Sequence, residues 1–293
     1  MKILVYGSLN IDLIFAVDHI VSPGETVSSS SLVTSAGGKG ANQAAAMAKA
    51  GLPVYMAGKV GRDGQFLLDL LQSYGVQTGK VVHYEGATGQ ALIQVDKNGQ
   101  NSIVLFSGGN GDVKVEEIHR AIADFDADDI VVLQNEIVHT QEIMESAKKR
   151  GMRIYLNPSP YNEKIEALPL DLVDSLFVNE IEAAALAQLP QESAPDVSLD
   201  RLVKRFPHAE IILTAGEGGA YYGAGNIREK SEIVRVPVVD TTGAGDTFMG
   251  YYIAAREKRC SVTEALGVAC KAASIAVSRS GAMQSIPFKD EVF

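Results

Sequence analysis

The chain has 293 residues, 46% of them apolar, which is enough for one large α/β domain or two ordinary ones. Its 26 Lys and Arg against 36 Asp and Glu give a net charge of −10, which argues against a nucleic-acid partner. No apolar run approaches the roughly 20 residues needed to span a bilayer, and the N-terminus carries no leader pattern, so we expect a cytoplasmic protein with no membrane partner.

Short strand patterns alternate with helical patterns along the chain, which predicts an α/β fold with a doubly wound, mainly parallel sheet flanked by helices. Several of the strands are continuous apolar runs, which is typical of strands covered on both faces. The predicted strands are residues 2–7, 54–59, 130–134, 153–157, 176–179 and 211–214. The predicted helices are residues 40–50, 63–74, 115–123, 141–150, 180–186, 244–258 and 263–278.

Four β-rich segments break this alternation, at about residues 12–17, 26–35, 89–96 and 101–106. The last two form a predicted hairpin, because Asn98-Gly99 between them is a strong turn signal. Pattern alone leaves open whether the four build a small separate lid or an antiparallel edge of the main sheet. The polar stretch 190–196 is expected to be a loop within the domain, because short polar connections are the norm there. The two cysteines, Cys260 and Cys270, fall in or beside Ala- and Val-rich helical stretches, which favours buried thiols and a reducing compartment over a disulfide.

Two motifs near the N-terminus carry polar residues where a ligand would lie. Asp12 follows the first apolar strand, and open α/β sheets bind ligands beyond the carboxyl ends of their strands. The run Gly37-Gly38-Lys39-Gly40-Ala41-Asn42-Gln43 opens the first helix with small residues, one cation and two amides. It lets a polar ligand approach the backbone while Lys39 and Asn42 supply directional hydrogen bonds, which suits a polyhydroxy compound. The spacing is not that of a Walker A loop.

The third motif, Asp240-Thr241-Thr242-Gly243-Ala244-Gly245-Asp246-Thr247-Phe248, precedes a helical pattern near the C-terminus. Gly243, Ala244 and Gly245 carry little side chain, so their backbone N–H groups can approach an anion at the positive end of that helix. Asp246 lies where a carboxylate can face a hydroxyl placed before the same phosphate. The alternative interpretation is an ordinary tight turn followed by a first-turn aspartate.

Together these motifs resemble the ribokinase-like (PfkB) family of carbohydrate kinases, and the resemblance runs over nearly the whole chain. It implies one kinase domain, residues 1–293, with lid strands inserted at about 12–35 and 89–106 over the sugar site. It also implies ATP-dependent phosphorylation of a primary hydroxyl of a free sugar, ribose being the first expectation. A homodimer formed through the lid is expected on the same grounds. The absence of an Arg and Lys cluster in the sugar segments favours an unphosphorylated sugar.

The resemblance assigns roles residue by residue. Asp246 is the expected base, with the backbone of Gly243, Ala244 and Gly245 as the anion hole. The expected sugar-binding residues are Asp12, Gly38, Lys39, Asn42, Glu136 and Asp246. The expected nucleotide-binding residues are Asn179, Thr214, Gly216, Gly219, Gly243 and Gly245, and Glu182 is expected to hold Mg²⁺ through water.

The resemblance further implies a monovalent-cation loop that holds K⁺ beside the phosphate-binding helix. The expected K⁺ ligands, mostly backbone oxygens, are Asp240, Thr242, Ala276, Arg279, Gly281 and Ser285. Arg279 can contribute only its carbonyl, because a guanidinium cannot bind a cation. The residues alone would equally describe a C-terminal loop rich in small residues.

Other functions remain as alternatives. The chain could phosphorylate another sugar or a nucleoside, or it could be a non-catalytic sugar-binding regulator, although a regulator would not need Asp246. A Rossmann dinucleotide enzyme is disfavoured because no G-x-G-x-x-G opens the first helix. The five histidines lack metal-site spacing, and no serine has a G-x-S-x-G setting, which disfavours a zinc site and a hydrolase.

Overall fold

A computed structural model describes all 293 residues, Met1–Phe293, as thirteen strands and nine α-helices. The strands are β1 Ile3–Tyr6, β2 Asn10–Ala16, β3 Ser31–Gly37, β4 Val54–Val60, β5 Gln77–His83, β6 Gly89–Val95, β7 Asn101–Phe106, β8 Ile130–Gln134, β9 Arg153–Asn157, β10 Ser175–Asn179, β11 Glu210–Thr214, β12 Ala220–Ala224 and β13 Ile227–Ser231. The helices are α1 Lys39–Lys49, α2 Gln65–Ser73, α3 Val115–Ile122, α4 Thr140–Lys149, α5 Glu180–Leu186, α6 Pro195–Arg205, α7 Ala244–Glu257, α8 Val262–Val277 and α9 Lys289–Val292.

The main sheet has nine strands in the order β13-β12-β11-β10-β9-β8-β1-β4-β5. All neighbours from β11 to β5 pair in parallel, and β12 and β13 add an antiparallel edge. The chain starts in the middle at β1, builds outward to β4 and β5, and then returns to β8 on the other side of β1. The strand order therefore reverses between β1 and β8, which is where open α/β sheets leave a crevice for ligands.

The sheet is covered on both faces. Ile3 and Val5 of β1 belong to one buried cluster of 41 residues, which includes side chains of α1, α2, α7 and α8. Leu4 and Tyr6 belong to a second cluster of 32 residues, which includes side chains of α3, α4, α5 and α6. Because alternate residues of one strand point into two cores, the strand must be apolar throughout. This arrangement confirms the predicted doubly wound fold.

The segments that break the alternation form a separate four-stranded sheet, ordered β3-β2-β6-β7, rather than an edge of the main sheet. The predicted hairpin joins β6 to β7, with the N–H of Gly99 donating to the carbonyl of Asp96 (2.9 Å) and Gly99 at φ +79°. The central pair, β2 and β6, runs parallel. Strand β2 starts at Asn10, two residues earlier than predicted. Strand β3 covers Ser31–Gly37, so residues 26–30 of the predicted segment are not strand and the strand ends two residues later than predicted.

Helices α1 and α7 cross in close contact, and this crossing sets the distance between the two motifs. A Cβ added to Gly250 of α7 would lie 2.5 Å from the Cβ of Ala46 on α1, so only a glycine fits there. Gly250 lies one turn after Asp246, and Ala46 lies one turn after Asn42. The small residues therefore let the first turns of the two helices meet side by side.

The sequence did not predict β5, β12, β13, α6 or α9. Strands β12 and β13 lie at the antiparallel edge, where Ile227–Ser231 is polar and largely exposed and so lacks the apolar signal of a covered strand. Helix α6 begins at Pro195, within the stretch predicted as a loop, and α9 occupies the C-terminal segment. Both cysteines are free thiols, Cys270 buried and Cys260 half-buried. No helix in the structure is long and apolar enough to cross a membrane.

Candidate active site

The start of α7 provides free backbone donors. Gly243, at the N-cap, has φ +74°, a conformation that glycine adopts without strain. The N–H of Ala244 donates to the carbonyl of Thr241 (3.2 Å), whereas those of Gly243, Gly245 and Asp246 have no acceptor in the protein. Unpaired N–H groups together with the positive end of the helix dipole make an anion site.

Asp246, in the first turn of α7, is only 7% exposed and is fixed by side chains of α1. Its Oδ2 accepts a hydrogen bond from Nδ2 of Asn42 (3.0 Å), and its Oδ1 accepts one from Nε2 of Gln43 (2.9 Å). The two motifs that the sequence placed 200 residues apart therefore meet at one carboxylate, directly beside the unpaired N–H groups.

A pair of carboxylates lies where the end of β8 meets β2. Glu136 accepts hydrogen bonds through Oε2 from the hydroxyl of Ser8 and from the backbone N–H of Lys39 (3.1 Å). Asp12, half-buried on β2, lies close enough to Glu136 for repulsion; burial first, and then this charge, raises the pKa of Asp12 to about 7. A Cβ on Gly37 would lie 2.1 Å from Oδ2 of Asp12, so the glycine makes room for this carboxylate.

Lys39 joins these two groups of carboxylates. Burial lowers the pKa of its ammonium, but Asp246, Glu136 and Glu182 outweigh burial and hold that pKa above its ordinary value. The side chain lines a cavity of 320 Å³ together with Glu182, Gly243, Gly245 and Asp246. The cation predicted on the sugar side therefore also faces the space beside the free N–H groups.

A wider cleft of 740 Å³ opens on the other side of the α7 N-terminus. Thr214, Gly216 and Gly219 line it along the end of β11, opposite valines of the segment 232–239. Gly219 has φ +86°, and a Cβ there would lie 2.2 Å from the carbonyl oxygen of Ser231, so packing between β12 and β13 also requires this glycine. A largely apolar cleft beside a donor-rich helix end suits a flat heterocycle that carries phosphates.

Asn179 and Glu182 form a reciprocal cap at the start of α5. The side chain of Asn179 accepts from the N–H of Glu182 (2.9 Å), and Oε2 of Glu182 accepts from the N–H of Asn179 (3.0 Å). Glu182 is 4% exposed, yet its carboxyl group lines the 320 Å³ cavity and Oε1 has no hydrogen-bond donor in the protein. One free carboxylate oxygen fits Mg²⁺ that is held mainly by water and phosphate oxygens.

Asp240 organises the loop that precedes α7. Its Oδ1 accepts from the N–H of Thr242 (2.9 Å) and its Oδ2 from the N–H of Gly281 (3.0 Å). Burial raises the pKa of Asp240, but hydrogen bonds from Thr242 and Gly281 outweigh it, so that pKa lies below its ordinary value. The carboxylate therefore ties the α7 loop to the segment after α8.

The other residues of the predicted cation loop lie along the same segment. The carbonyl of Ala276 accepts from the N–H of Arg279 (3.0 Å), and the guanidinium of Arg279 turns away to pair with Glu291. Ser285 is 1% exposed and donates its hydroxyl to the carbonyl of Ala282 (2.8 Å), which leaves the hydroxyl lone pairs available. An all-oxygen donor set of this kind fits a weakly hydrated monovalent cation such as K⁺.

The residues predicted from the sequence did not include four polar side chains of the site: Ser8, Gln43, Gln134 and Asn157. Gln134 and Asn157 end β8 and β9, and Ser8 follows β1, so all three stand at the carboxyl edge of the sheet. Polar residues that terminate apolar strands at this edge were the available signal. Gln43 was visible as the second amide of the α1 motif.

Comparison with known proteins agrees with this geometry. The model of the pfkB family carbohydrate kinases matches residues 1–289. The chain therefore belongs to the pfkB family of carbohydrate kinases, which are ATP-dependent enzymes that phosphorylate sugar hydroxyls.

Its relatives within the family are mainly ribokinases. The chain is 34% identical to the ribokinase of Bacillus subtilis (strain 168) over 99% of its own length and 98% of that protein, and 32% identical to the deoxyribokinase of Salmonella typhi over 98% and 96%. It superposes on the ribokinase of Cryptococcus neoformans var. grubii in complex with ADP with a TM-score of 0.88, at 33% identity, covering 99% of this chain and 98% of that one. For the ribokinase of Arabidopsis thaliana complexed with ribose and ATP, the TM-score is 0.84, at 30% identity, with coverage of 99% and 97%.

Proposed function

We propose that this protein transfers the γ-phosphoryl group of ATP to the primary hydroxyl of a free sugar, with D-ribose as the preferred sugar and ribose 5-phosphate as the product. The observation that carries the proposal is the position of Asp246. A buried carboxylate, fixed by two amide donors, lies at a helix end whose N–H groups have no acceptor in the protein. The ribokinases among the relatives support ribose as the sugar.

In this mechanism the sugar hydroxyl lies between Asp246 and the γ-phosphate. Asp246 orients the hydroxyl and accepts its proton, while the oxygen attacks phosphorus and ADP leaves. The backbone of Gly243, Ala244 and Gly245 stabilises the charge on the transferred group, with Gly243 and Gly245 contributing their unpaired N–H groups. Because a carboxylate is a weak base for an alcohol, proton transfer comes late and much of the acceleration comes from positioning.

The sugar is held by Asp12, Gly38, Lys39, Asn42 and Glu136. Asp12 accepts hydrogen bonds from two hydroxyls when it is ionised, and Lys39 donates. Gly38, at φ +92° and with a hypothetical Cβ 2.9 Å from the N of Asn10, lets the sugar reach the backbone at the start of α1. Lys39 is the one Lys or Arg among these residues, which supports an unphosphorylated sugar.

The nucleotide occupies the two connected cavities on either side of the α7 N-terminus. Its phosphates lie along Asn179, Gly243 and Gly245, and the base lies in the wider cleft beside Thr214, Gly216 and Gly219. Glu182 is the protein group that holds Mg²⁺ through water. When bound, Mg²⁺ neutralises charge on the β- and γ-phosphates.

Oxygens of six residues would hold K⁺ and so stabilise the loop that leads into α7: Asp240, Thr242, Ala276, Arg279, Gly281 and Ser285. The support for this role is the link from Asp240 to Gly281, which already joins the two halves of the loop.

Residues 1–293 act as one kinase domain with the lid inserted into it, and the protein works in the cytoplasm. The lid also forms a homodimer. The outer strands β3 and β7 expose apolar side chains, each 52–62% accessible: Leu32, Val33, Ile103, Val104, Leu105 and Phe106. Contiguous exposed apolar side chains of this kind mark interaction surfaces.

A second candidate is the same reaction on 2-deoxyribose, which the similarity to a deoxyribokinase favours. Another sugar or a nucleoside would use the same base and the same phosphate site. A regulator without turnover would have no use for the fixed carboxylate of Asp246.

The test is ADP release with Mg²⁺-ATP and K⁺ against ribose, 2-deoxyribose, other pentoses, hexoses, ketoses and nucleosides, with ³¹P NMR of the product to locate the phosphate. The proposal predicts the highest kcat/KM with ribose and a phosphate on the primary hydroxyl. A preference for 2-deoxyribose or a nucleoside would replace the substrate and keep the mechanism. Sugar binding without turnover on any acceptor would overturn the kinase assignment in favour of the regulator.

A further inference from the structure

Gln43 is a buried amide whose two hydrogens and carbonyl oxygen all have partners in the protein. Both hydrogens of its Nε2 are used, one by Oδ1 of Asp246 (2.9 Å) and one by Oδ1 of Asn157 (3.2 Å). Its Oε1 accepts from Nε2 of Gln134 (2.6 Å). The side chain is 1% exposed. An amide with three partners cannot rotate without losing all of them.

The partners of Gln43 are themselves anchored to the main sheet. Asn157, at the end of β9, donates Nδ2 to the carbonyl of Phe177 on β10 (2.9 Å), which orients its Oδ1 toward Gln43. Gln134, at the end of β8, is 1% exposed. Gln43 therefore connects the ends of two central strands to the first turn of α7.

The direction of these hydrogen bonds follows from the charge of one group. An ionised Asp246 can only accept, so both neighbouring amides must turn their nitrogens toward it. The carbonyl oxygen Oε1 of Gln43 therefore faces Gln134, and the amide nitrogen of Gln134 must donate a hydrogen bond to it. Two buried acceptors have no donor as a result, Oδ1 of Asn42 and Oε1 of Gln134.

We infer that Gln43 is a positioning residue for the phosphoryl transfer: it holds the carboxylate of Asp246 in the orientation that receives the sugar hydroxyl, by a donor chain that runs from Gln134 through Gln43 to Asp246. This inference rests on the proposed role of Asp246 as base. All three hydrogen bonds of Gln43 go to protein side chains and its own side chain is buried, so it acts through Asp246.

The test is a double-mutant cycle with Gln43→Met and Asp246→Asn, measured as sugar-dependent ADP formation and as the ATP dissociation constant. Methionine keeps the length of the side chain and removes its donors. Gln43→Met alone should lower kcat about 10- to 100-fold, as expected for a displaced catalytic group, while ATP binding changes less than about 2-fold. On the Asp246→Asn background the same substitution should cost less than about 2-fold, because the group it positions is already gone.

Two further variants sharpen the test. Gln134→Met removes the donor at the start of the chain but leaves Gln43 bonded to Asp246, so its kcat should lie between those of the wild type and Gln43→Met. Thr78→Val is the control for a side-chain hydrogen bond lost at a buried residue, because Thr78 is buried and accepts from the exposed Gln72 (2.6 Å) at the β5 edge of the sheet. Its kcat should stay at the wild-type level even if its melting temperature falls.

The outcomes separate the two claims. An equal loss of kcat from Gln43→Met in both backgrounds would make Gln43 merely structural, and a wild-type kcat in Gln43→Met would also overturn the inference. Near-wild-type turnover in Asp246→Asn alone would instead refute the base assignment on which the inference depends.

Discussion

The two sides of the α7 N-terminus are built in opposite ways. The sugar side, defined by Asp12, Asn42, Gln43, Glu136 and Asp246, consists of polar side chains, most of which are held by hydrogen bonds within the protein. Asn42 and Gln43 donate to Asp246, and Ser8 and the N–H of Lys39 donate to Glu136. The nucleotide side has the Asn179–Glu182 cap in its smaller cavity, but its wider cleft is lined mainly by backbone donors, glycines and exposed valines. The carboxylate of Asp246 is thus fixed by protein donors before any ligand arrives, whereas the wide cleft offers mainly backbone and apolar surface.

Lys39 should contribute to both sides, because its ammonium faces carboxylates of the sugar side and of the nucleotide side. Lys39→Met should lower kcat by about 10²- to 10³-fold, as loss of a donor to developing charge does elsewhere. The substitution should also weaken the binding of both the sugar and ATP, because Lys39 lines a cavity that the two share. Steady-state kinetics with each substrate varied in turn measures kcat, the KM for the sugar and the KM for ATP. A change in only one KM with kcat intact would place Lys39 on one side alone.

Asp12 should affect the sugar side only. Asp12→Asn should lower kcat/KM for the sugar about 10- to 100-fold, the value of one or two hydrogen bonds to a charged group, and leave the KM for ATP unchanged. Because the pKa of Asp12 is about 7, the wild-type kcat/KM for the sugar should rise as pH increases through 7, when the carboxylate becomes able to accept two hydroxyls. The variant should lack this rise; an unchanged pH profile would exclude Asp12 from sugar binding.

Ionisation of Asp12 should lower the stability of the fold, although it should raise kcat/KM for the sugar. The folded-state pKa is about 7 and the ordinary value is 3.8, so between pH 3.8 and 7 the folded state binds more protons than the unfolded state. The carboxylate therefore lowers the free energy of unfolding as pH rises through this window, and the full penalty applies above pH 7. Asp12→Asn should melt at a higher temperature than the wild type at pH 8, and the difference should shrink toward pH 4.

The sequence predicts the parts of the structure that carry a local pattern and misses those that do not. Six strands of the main sheet, β1, β4, β8, β9, β10 and β11, were predicted because continuous apolar runs mark strands covered on both faces, whereas β5 and β12 of the same sheet were missed. The helix starts at Lys39 and Ala244 were predicted because small residues cluster there. The antiparallel edge, Ile227–Ser231, was missed because an exposed strand carries no such pattern. The chain from Gln134 to Gln43 was missed because it joins the ends of separate elements, and local spacing does not encode that distance.

Gly243 tests the nucleotide side. Gly243→Ala places a Cβ at φ +74°, which should lower the free energy of unfolding by about 1–2 kcal/mol. It should also raise the KM for ATP about 10-fold and leave the KM for the sugar unchanged. The matched control is Gly225→Ala, at φ +50° with open space around its Cβ and far from both cavities. Both variants should melt at lower temperature, and only Gly243→Ala should alter kinetics. If Gly243→Ala and Gly225→Ala had the same kinetic constants, the turn at Gly243 would have no role in nucleotide binding.

The smallest effect is expected in the open cleft. Val234 lines the cleft and is 50% exposed, so trimming it to alanine removes apolar contact with the nucleotide but no fixed group. Val234→Ala should raise the KM for ATP about 3- to 10-fold at about 0.8 kcal/mol per methylene. Val197→Ala, at 51% exposure on α6, should change nothing. A loss in kcat from Val234→Ala would contradict the division between the two sides.

The most direct measurement is turnover and ATP binding in Asp246→Asn, compared with Asp129→Asn. Asp129 is also buried, at 1% exposure, but it accepts backbone hydrogen bonds from Lys2 and Asp126 at the opposite edge of the sheet, so it reports the cost of the same substitution away from the site. We expect Asp246→Asn to lose about 10²- to 10⁴-fold in sugar-dependent ADP formation and to bind ATP within about 3-fold of the wild type by calorimetry. Turnover near the wild-type rate would contradict the assignment of Asp246 as the base.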